Sequence, residues 1–141
     1  MAVNRGRIIM GGLAAGLTAN VLDYLVFSVV LKDRLTQEMN ALNPALNAKM
    51  NSAPSMATAI VGDFVIGILL VWIYAAMRAA YGPGPRTAMR AGLCIWVLFA
   101  VVYSGLTATG LYSWAFFCST TGIELVTTMI VALVGGAVYK E

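Results

Sequence analysis

Four long apolar runs dominate the chain, at residues 8–31, 57–80, 91–111 and 115–139. Each is about 20 residues or longer, the length a helix needs to cross a hydrocarbon core about 30 Å thick. Lipid offers backbone amides no partner, so runs of this length predict helices, which satisfy their own hydrogen bonds. None of them alternates apolar and polar positions as membrane strands do. The predicted fold class is therefore all-α: one domain over residues 1–141, built as a four-helix transmembrane bundle. Arg5 and Arg7 give the first run the basic start of a signal peptide. Its apolar stretch far exceeds the roughly 7–15 residues of a signal core, however, and no small-x-small cleavage site follows Leu31, so it is read as an anchor.

Composition strengthens this picture. Hydrophobic residues make up 60% of the chain and charged residues only 11%, with a mean hydropathy of +0.84. A soluble domain carries about 25% charged residues, so this chain has too few to cover a surface in water. The net charge of +3 does not point to nucleic acid, because the basic residues flank the apolar runs instead of forming one patch. Arg5, Arg7, Arg78, Arg86, Arg90 and Lys140 fall on one side of the bundle, and Lys32, Arg34 and Lys49 on the other. Positive residues favour the cytoplasm, so both termini are expected inside, with Arg78, Arg86 and Arg90 as cytoplasmic anchors to lipid headgroups.

The connections carry their own signals. Residues 32–56 form the long outer link, in which Leu35, Met39 and Leu42 recur at helical spacing before Pro44. This predicts an amphipathic helix lying at the membrane interface. Residues 81–90 hold Tyr81-Gly82-Pro83-Gly84-Pro85-Arg86, a stiff turn that stops the second helix. The link between the third and fourth runs is so short that these helices must be antiparallel neighbours. Tyr112 and Trp114 sit there, as interfacial aromatics do.

Helices in lipid associate through close backbone approach, which small residues allow. Gly12 and Gly16 on the first run and Ala132 and Gly136 on the fourth are spaced by four residues, so spans one and four are expected to touch through them. Continuing these stripes gives the inward faces. They are Gly12, Gly16, Asn20, Asp23 and Phe27 on span one, and Ala59, Asp63, Gly67, Leu70 and Tyr74 on span two. Span three contributes Gly92, Trp96, Tyr103, Thr107 and Gly110, and span four Thr121, Glu124, Thr128, Ala132 and Gly135. Small and polar residues share these stripes, which predicts a partly polar interior.

Three of the six acidic residues, Asp23, Asp63 and Glu124, lie within the spans. At 1.5 Å per residue all three fall about 9 to 14 Å below the outer boundary, in one layer. An acid near the centre of a span costs about 2.5–3.5 kcal/mol even on the generous insertion scale, so three together cost roughly 8–10 kcal/mol. No Lys or Arg lies at their depth. The carboxyls must be protonated, face water, share protons or bind a cation. Asn20, Tyr103, Ser104 and Thr127 supply polar groups at similar levels and complete a candidate ion, proton or partner site. Three roles are open: hydrogen bonds that fix helix register, such as Asp23 with Tyr103 or Glu124 with Thr127; proton or cation handling; and binding of an external basic group.

Enzyme chemistry has little to stand on. The chain has no His, no Cys-x-x-Cys and no nucleophile elbow. Cys94 and Cys118 fall near opposite faces, too far apart to bridge, and read as packing residues. Gly82-Pro83-Gly84-Pro85 lacks the Lys of a phosphate loop, and its prolines remove backbone donors. Three carboxylates suit a hard cation such as Ca²⁺ or Mg²⁺, but their spacing is not diagnostic, and no cofactor is expected.

The segments Trp72-Ile73-Tyr74-Ala75-Ala76-Met77-Arg78 and Gly82-Pro83-Gly84-Pro85-Arg86-Thr87-Ala88, with the opening from Gly12 to Leu17, resemble a group of small bacterial four-helix integral membrane proteins. The resemblance implies a bacterial inner-membrane location and the same topology, and carries no activity. The chain is also similar in size to small multidrug transporters, whose signature is a glutamate in the first span; Asp23 matches that poorly. The functional expectation is a non-enzymatic accessory or scaffold subunit, with other membrane subunits or a second copy of itself as partner. The alternative is a small proton- or cation-coupled transporter or channel subunit that uses the acidic cluster.

Overall fold

The structure is a computed structural model, and it describes residues 4–139. Lys140, one of the six basic residues used to orient the chain, lies outside the described residues. Helix α1 spans Arg5–Leu25 and runs on through a π-helical turn at Val26–Val30. Two short helices follow, α2 at Lys32–Leu42 and α3 at Ala45–Met50, and then the long helices α4 (Ala53–Tyr81), α5 (Pro85–Ala108) and α6 (Trp114–Val138). Among the described residues, four helices are long and apolar enough to cross a membrane: α1 with its π turn, α4, α5 and α6.

The ends of these helices follow local chemistry. Asn4 caps α1 by accepting from the Arg7 amide at 3.2 Å, and Ser113 caps α6 by accepting from the Phe116 amide at 3.2 Å. Pro85 occupies the first turn of α5, where a missing N–H costs nothing. The α4–α5 connection is therefore shorter than the expected 81–90, since only residues 82–84 lie outside helices. Gly82 (φ 75°) and Gly84 (φ 131°) make the reversal in backbone regions that side chains disfavour. The Thr87 hydroxyl donates to the Gly82 carbonyl at 2.8 Å, and the Tyr74 hydroxyl accepts from the Gly84 amide at 3.3 Å. Gly110 belongs to the α5–α6 turn, with φ 84°, and not to the inward stripe of span three where its spacing had placed it.

The four long helices close a ring in which α1 and α5 each pack against both α4 and α6, while α4 and α6 also meet across the middle. In the half that carries the chain termini, the helices touch almost backbone to backbone. A Cβ on Gly67 would lie 2.5 Å from the Gly16 amide nitrogen, and one on Gly12 would lie 2.6 Å from the Ile68 Cα. Gly12 and Gly16 thus serve the α1–α4 contact and not the α1–α6 contact expected of them. The reason is a rotation of about one residue: Gly11 and Ala15 are the α1 residues that face Gly135 of α6. Ala132 and Gly136 turn instead to Gly92 and Ala88 of α5, where an added Cβ would come within 2.9 Å. The apolar core sits in this same half and includes Leu70, Val71, Ala91 and Ala132, none of which has exposed surface worth noting.

The other half carries the long connection. Helix α2 lies over the start of α6 and is tied to it by side chains. Glu38 accepts from the Ser113 amide at 2.9 Å and from the Ser113 hydroxyl, and Arg34 donates to Ser119. Along the predicted stripe Met39 is buried, Leu35 half-buried and Leu42 exposed.

Candidate functional site

Glycine contacts hold α1 against α4 and α6 in the termini-bearing half, whereas bulky side chains line the opposite half. Phe27, Trp96, Phe99 and Tyr103 stand where glycine and alanine stand lower down, and a cavity of about 120 Å³ opens between the helices. Several waters fit in that volume. Asp23 from α1, Asp63 from α4 and Glu124 from α6 all line it, so the one-layer expectation for the acids corresponds to one shared space. Leu70, Ile95 and Val131 line it as well, and they belong to the apolar core of the closed half.

Rings and hydroxyls complete the walls. The Trp96 indole Nε1 donates to the Thr121 carbonyl at 2.8 Å, which fixes the ring as one face. Tyr103 is held by stacking on Tyr112, with centroids 5.4 Å apart and planes within 5°. Thr127 donates to Glu124 Oε2 at 3.0 Å and to the Glu124 carbonyl at 3.2 Å. The second Glu124 oxygen, Oε1, is fully enclosed and has no hydrogen-bond partner, and neither has the Thr120 hydroxyl, although Thr120 is only 3% exposed. Buried polar atoms are normally hydrogen-bonded, so these two are exceptions among the residues of the cavity wall.

No Lys or Arg among the described residues lines the cavity. Among the described residues, no group of three acidic or cysteine side chains gathers closely enough to hold a metal ion. The carboxyls surround a space and do not converge on a point, which disfavours a tight Ca²⁺ or Mg²⁺ cage with its oxygens at 2.0–2.6 Å.

The remaining candidates divide. Asn20 stands just outside the cavity and links α1 to α4, its amide donating to the Gly16 carbonyl at 2.9 Å and to the Ile60 carbonyl at 3.3 Å. Ser104 turns back on its own helix, donating to the Val101 carbonyl at 2.8 Å, and is not part of the cavity wall. At the termini-bearing end Arg86 and Arg90 are exposed, and the Arg90 guanidinium lies 4.5 Å from the Tyr81 ring centroid. Arg78 turns inward instead. Its guanidinium sits between Tyr74 and Tyr139, 5.8 and 5.3 Å from their ring centroids, so it clasps α4 to the end of α6. Cys94 and Cys118 are both free and exposed.

Two features escaped the sequence reading. Thr120 lies one helical turn before Glu124, and i, i+4 spacing could have found it. The π turn at Val26–Val30 begins three residues after Asp23, and its Phe27 lines the cavity. No sequence signal announces such a turn, although these turns are frequent at functional sites. No protein-family model, curated protein or solved structure compared with the chain matches it.

Proposed function

We propose that this chain is a small proton- or cation-coupled membrane transport protein, or the ion-handling subunit of one, with both termini on the cytoplasmic side of a bacterial inner membrane. The observation that carries this reading is the cavity shared by Asp23, Asp63 and Glu124, with no basic residue in its wall among the described residues. Uncompensated carboxyls in a low-dielectric space attract positive charge strongly, and intramembrane acids are characteristic of proton and ion pathways. Placement favours transport over the accessory or scaffold role. A register-fixing carboxyl needs only a neighbouring donor, as Glu124 Oε2 has in Thr127, whereas Asp23 and Asp63 line the cavity opposite it. The basic residues Arg5, Arg7, Arg78, Arg86 and Arg90 all belong to the closed end, which supports placing that end in the cytoplasm and the cavity toward the outside. On this reading α2 lies at the outer interface.

Each carboxyl can hold a proton or exchange it for a cation. Release on the far side requires the closed half to part along its glycine contacts, where Phe64, Ile68 and Val71 of α4 pack against the glycines of α1 and α6. The test is flux in liposomes containing the purified chain and a pH-sensitive dye, driven by an imposed potential. Transport is expected with the native chain and lost with Asp63→Asn. Flux no greater than in protein-free liposomes, or unchanged in Asp63→Asn, overturns the proposal; co-purification with a fixed partner then restores the accessory reading.

A further inference from the structure

A second concavity adjoins the cavity. Between α1 and α4, in the same half of the bundle, Asn20, Val21, Tyr24, Leu25, Met56, Ala59 and Ile60 line a groove of about 560 Å³. Val21, Tyr24, Leu25, Met56, Ala59 and Ile60 are exposed on the side of the bundle, where an apolar helix surface meets acyl chains. Asp23, Phe27 and Asp63 line both the groove and the cavity. The groove thus leads from the exposed side of the bundle to two carboxyls that it shares with the cavity.

Resting on the transport reading, we infer that the site takes a lipophilic organic cation, an apolar body carrying one amine or onium charge, which enters sideways from the bilayer between α1 and α4. Three features select this class. The groove volume lies within the 300–1,000 Å³ usual for sites that take a drug-sized molecule, beyond what a bare ion needs. Charge complementarity excludes an acyl chain as the intended occupant, since it offers nothing to Asp23 and Asp63. Trp96, Tyr103, Phe27 and Phe99 line the cavity beside the carboxyls and supply aromatic rings of the kind that attract cations.

The experiment measures equilibrium binding of tetraphenylphosphonium to the full chain in phosphatidylcholine nanodiscs, with tetraphenylborate as an anion of the same shape. The emission of Trp96, isolated by Trp72→Phe and Trp114→Phe, reports occupancy at the site. Saturable binding near one phosphonium per chain is expected, with a response from Trp96 and at least tenfold preference over the borate. Asp23→Asn and Asp63→Asn each weaken it tenfold or more. Ala59→Phe, which fills the groove and leaves every carboxyl in place, weakens it as well and guards against a folding artefact in the acid variants. Unsaturable uptake, equal binding of the borate, or indifference to both Asp63→Asn and Ala59→Phe overturns the inference and leaves the groove to lipid chains. The two proposals fail separately: proton flux without phosphonium binding removes only this one, and binding without flux removes the transport reading.

Discussion

At the scale of single residues, the bundle is sensitive where backbones touch and indifferent where glycines face open space. A methyl group added at Gly67 meets the Gly16 amide nitrogen at 2.5 Å, and backbone on one side and backbone on the other leave nothing flexible to yield. Gly67→Ala is therefore expected to destabilise the fold by about 1–3 kcal/mol or more, as overpacking does. Gly105 and Gly122 also lie in helices, with no atom within 4 Å of an added Cβ. Gly105→Ala is expected to be neutral or to stabilise by up to about 1 kcal/mol through helix propensity. Thermal unfolding of the three proteins in one detergent separates these outcomes, and equal midpoints for Gly67→Ala and Gly105→Ala contradict the packing described. The sequence made glycine-mediated contact legible but not its partners. Gly11 and Gly12 are adjacent, so a helix rotation within ordinary error decides which of them meets α4 and which meets α6.

At the scale of elements, helix existence was plain in the sequence because length and hydropathy alone decide it in lipid, and the ends moved by only a few residues. Proline and glycine at residues 82–85 set the sharp α4–α5 reversal in advance. Less visible was how the long connection would be tied down. Its helix α2 was legible from Leu35, Met39 and Leu42, but its docking depends on Glu38, an unremarkable polar residue until Ser113 is placed beside it. A carboxylate over the first turn of α6 satisfies an amide left without a partner and meets the positive end of the helix dipole. Glu38→Ala is expected to cost about 0.5–2 kcal/mol, the range for losing an N-terminal cap. The effect should be local, with faster amide hydrogen exchange in α2 and in the first turn of α6, while the α1–α4 contact at Gly67 stays protected. Uniform protection in both proteins would show that the tie does not hold the connection in place.

At the scale of the whole molecule, the two halves obey opposite rules. Glycine and alanine close the half bearing the termini, and the other half is held open by aromatic rings around carboxyls that have no counter-charge. Residue counting along each helix gave the three acids one expected depth, since rise per residue fixes height along a helix. The groove between α1 and α4 could not be read that way, because it depends on how the side chains of two exposed apolar faces pack beside each other. This division suggests a test that separates structural acids from functional ones without any transport assay. If the carboxyls served mainly to bond neighbouring helices, Asp23→Asn, Asp63→Asn and Glu124→Gln should each lower stability by the value of the lost bond, about 0.6 kcal/mol on average in membrane bundles. If they are kept for function at a cost to the fold, removing the charge relieves that cost, and each variant should be more stable by about 0.5–2 kcal/mol. Glu124→Gln is the most telling of the three. Its amide oxygen can still accept from Thr127, while its amide nitrogen replaces Oε1, the enclosed acceptor with no partner. Reversible unfolding in mixed micelles measures the difference directly. A rise in stability for at least Asp63→Asn and Glu124→Gln supports acids retained for their chemistry, and a fall in all three assigns them to helix packing.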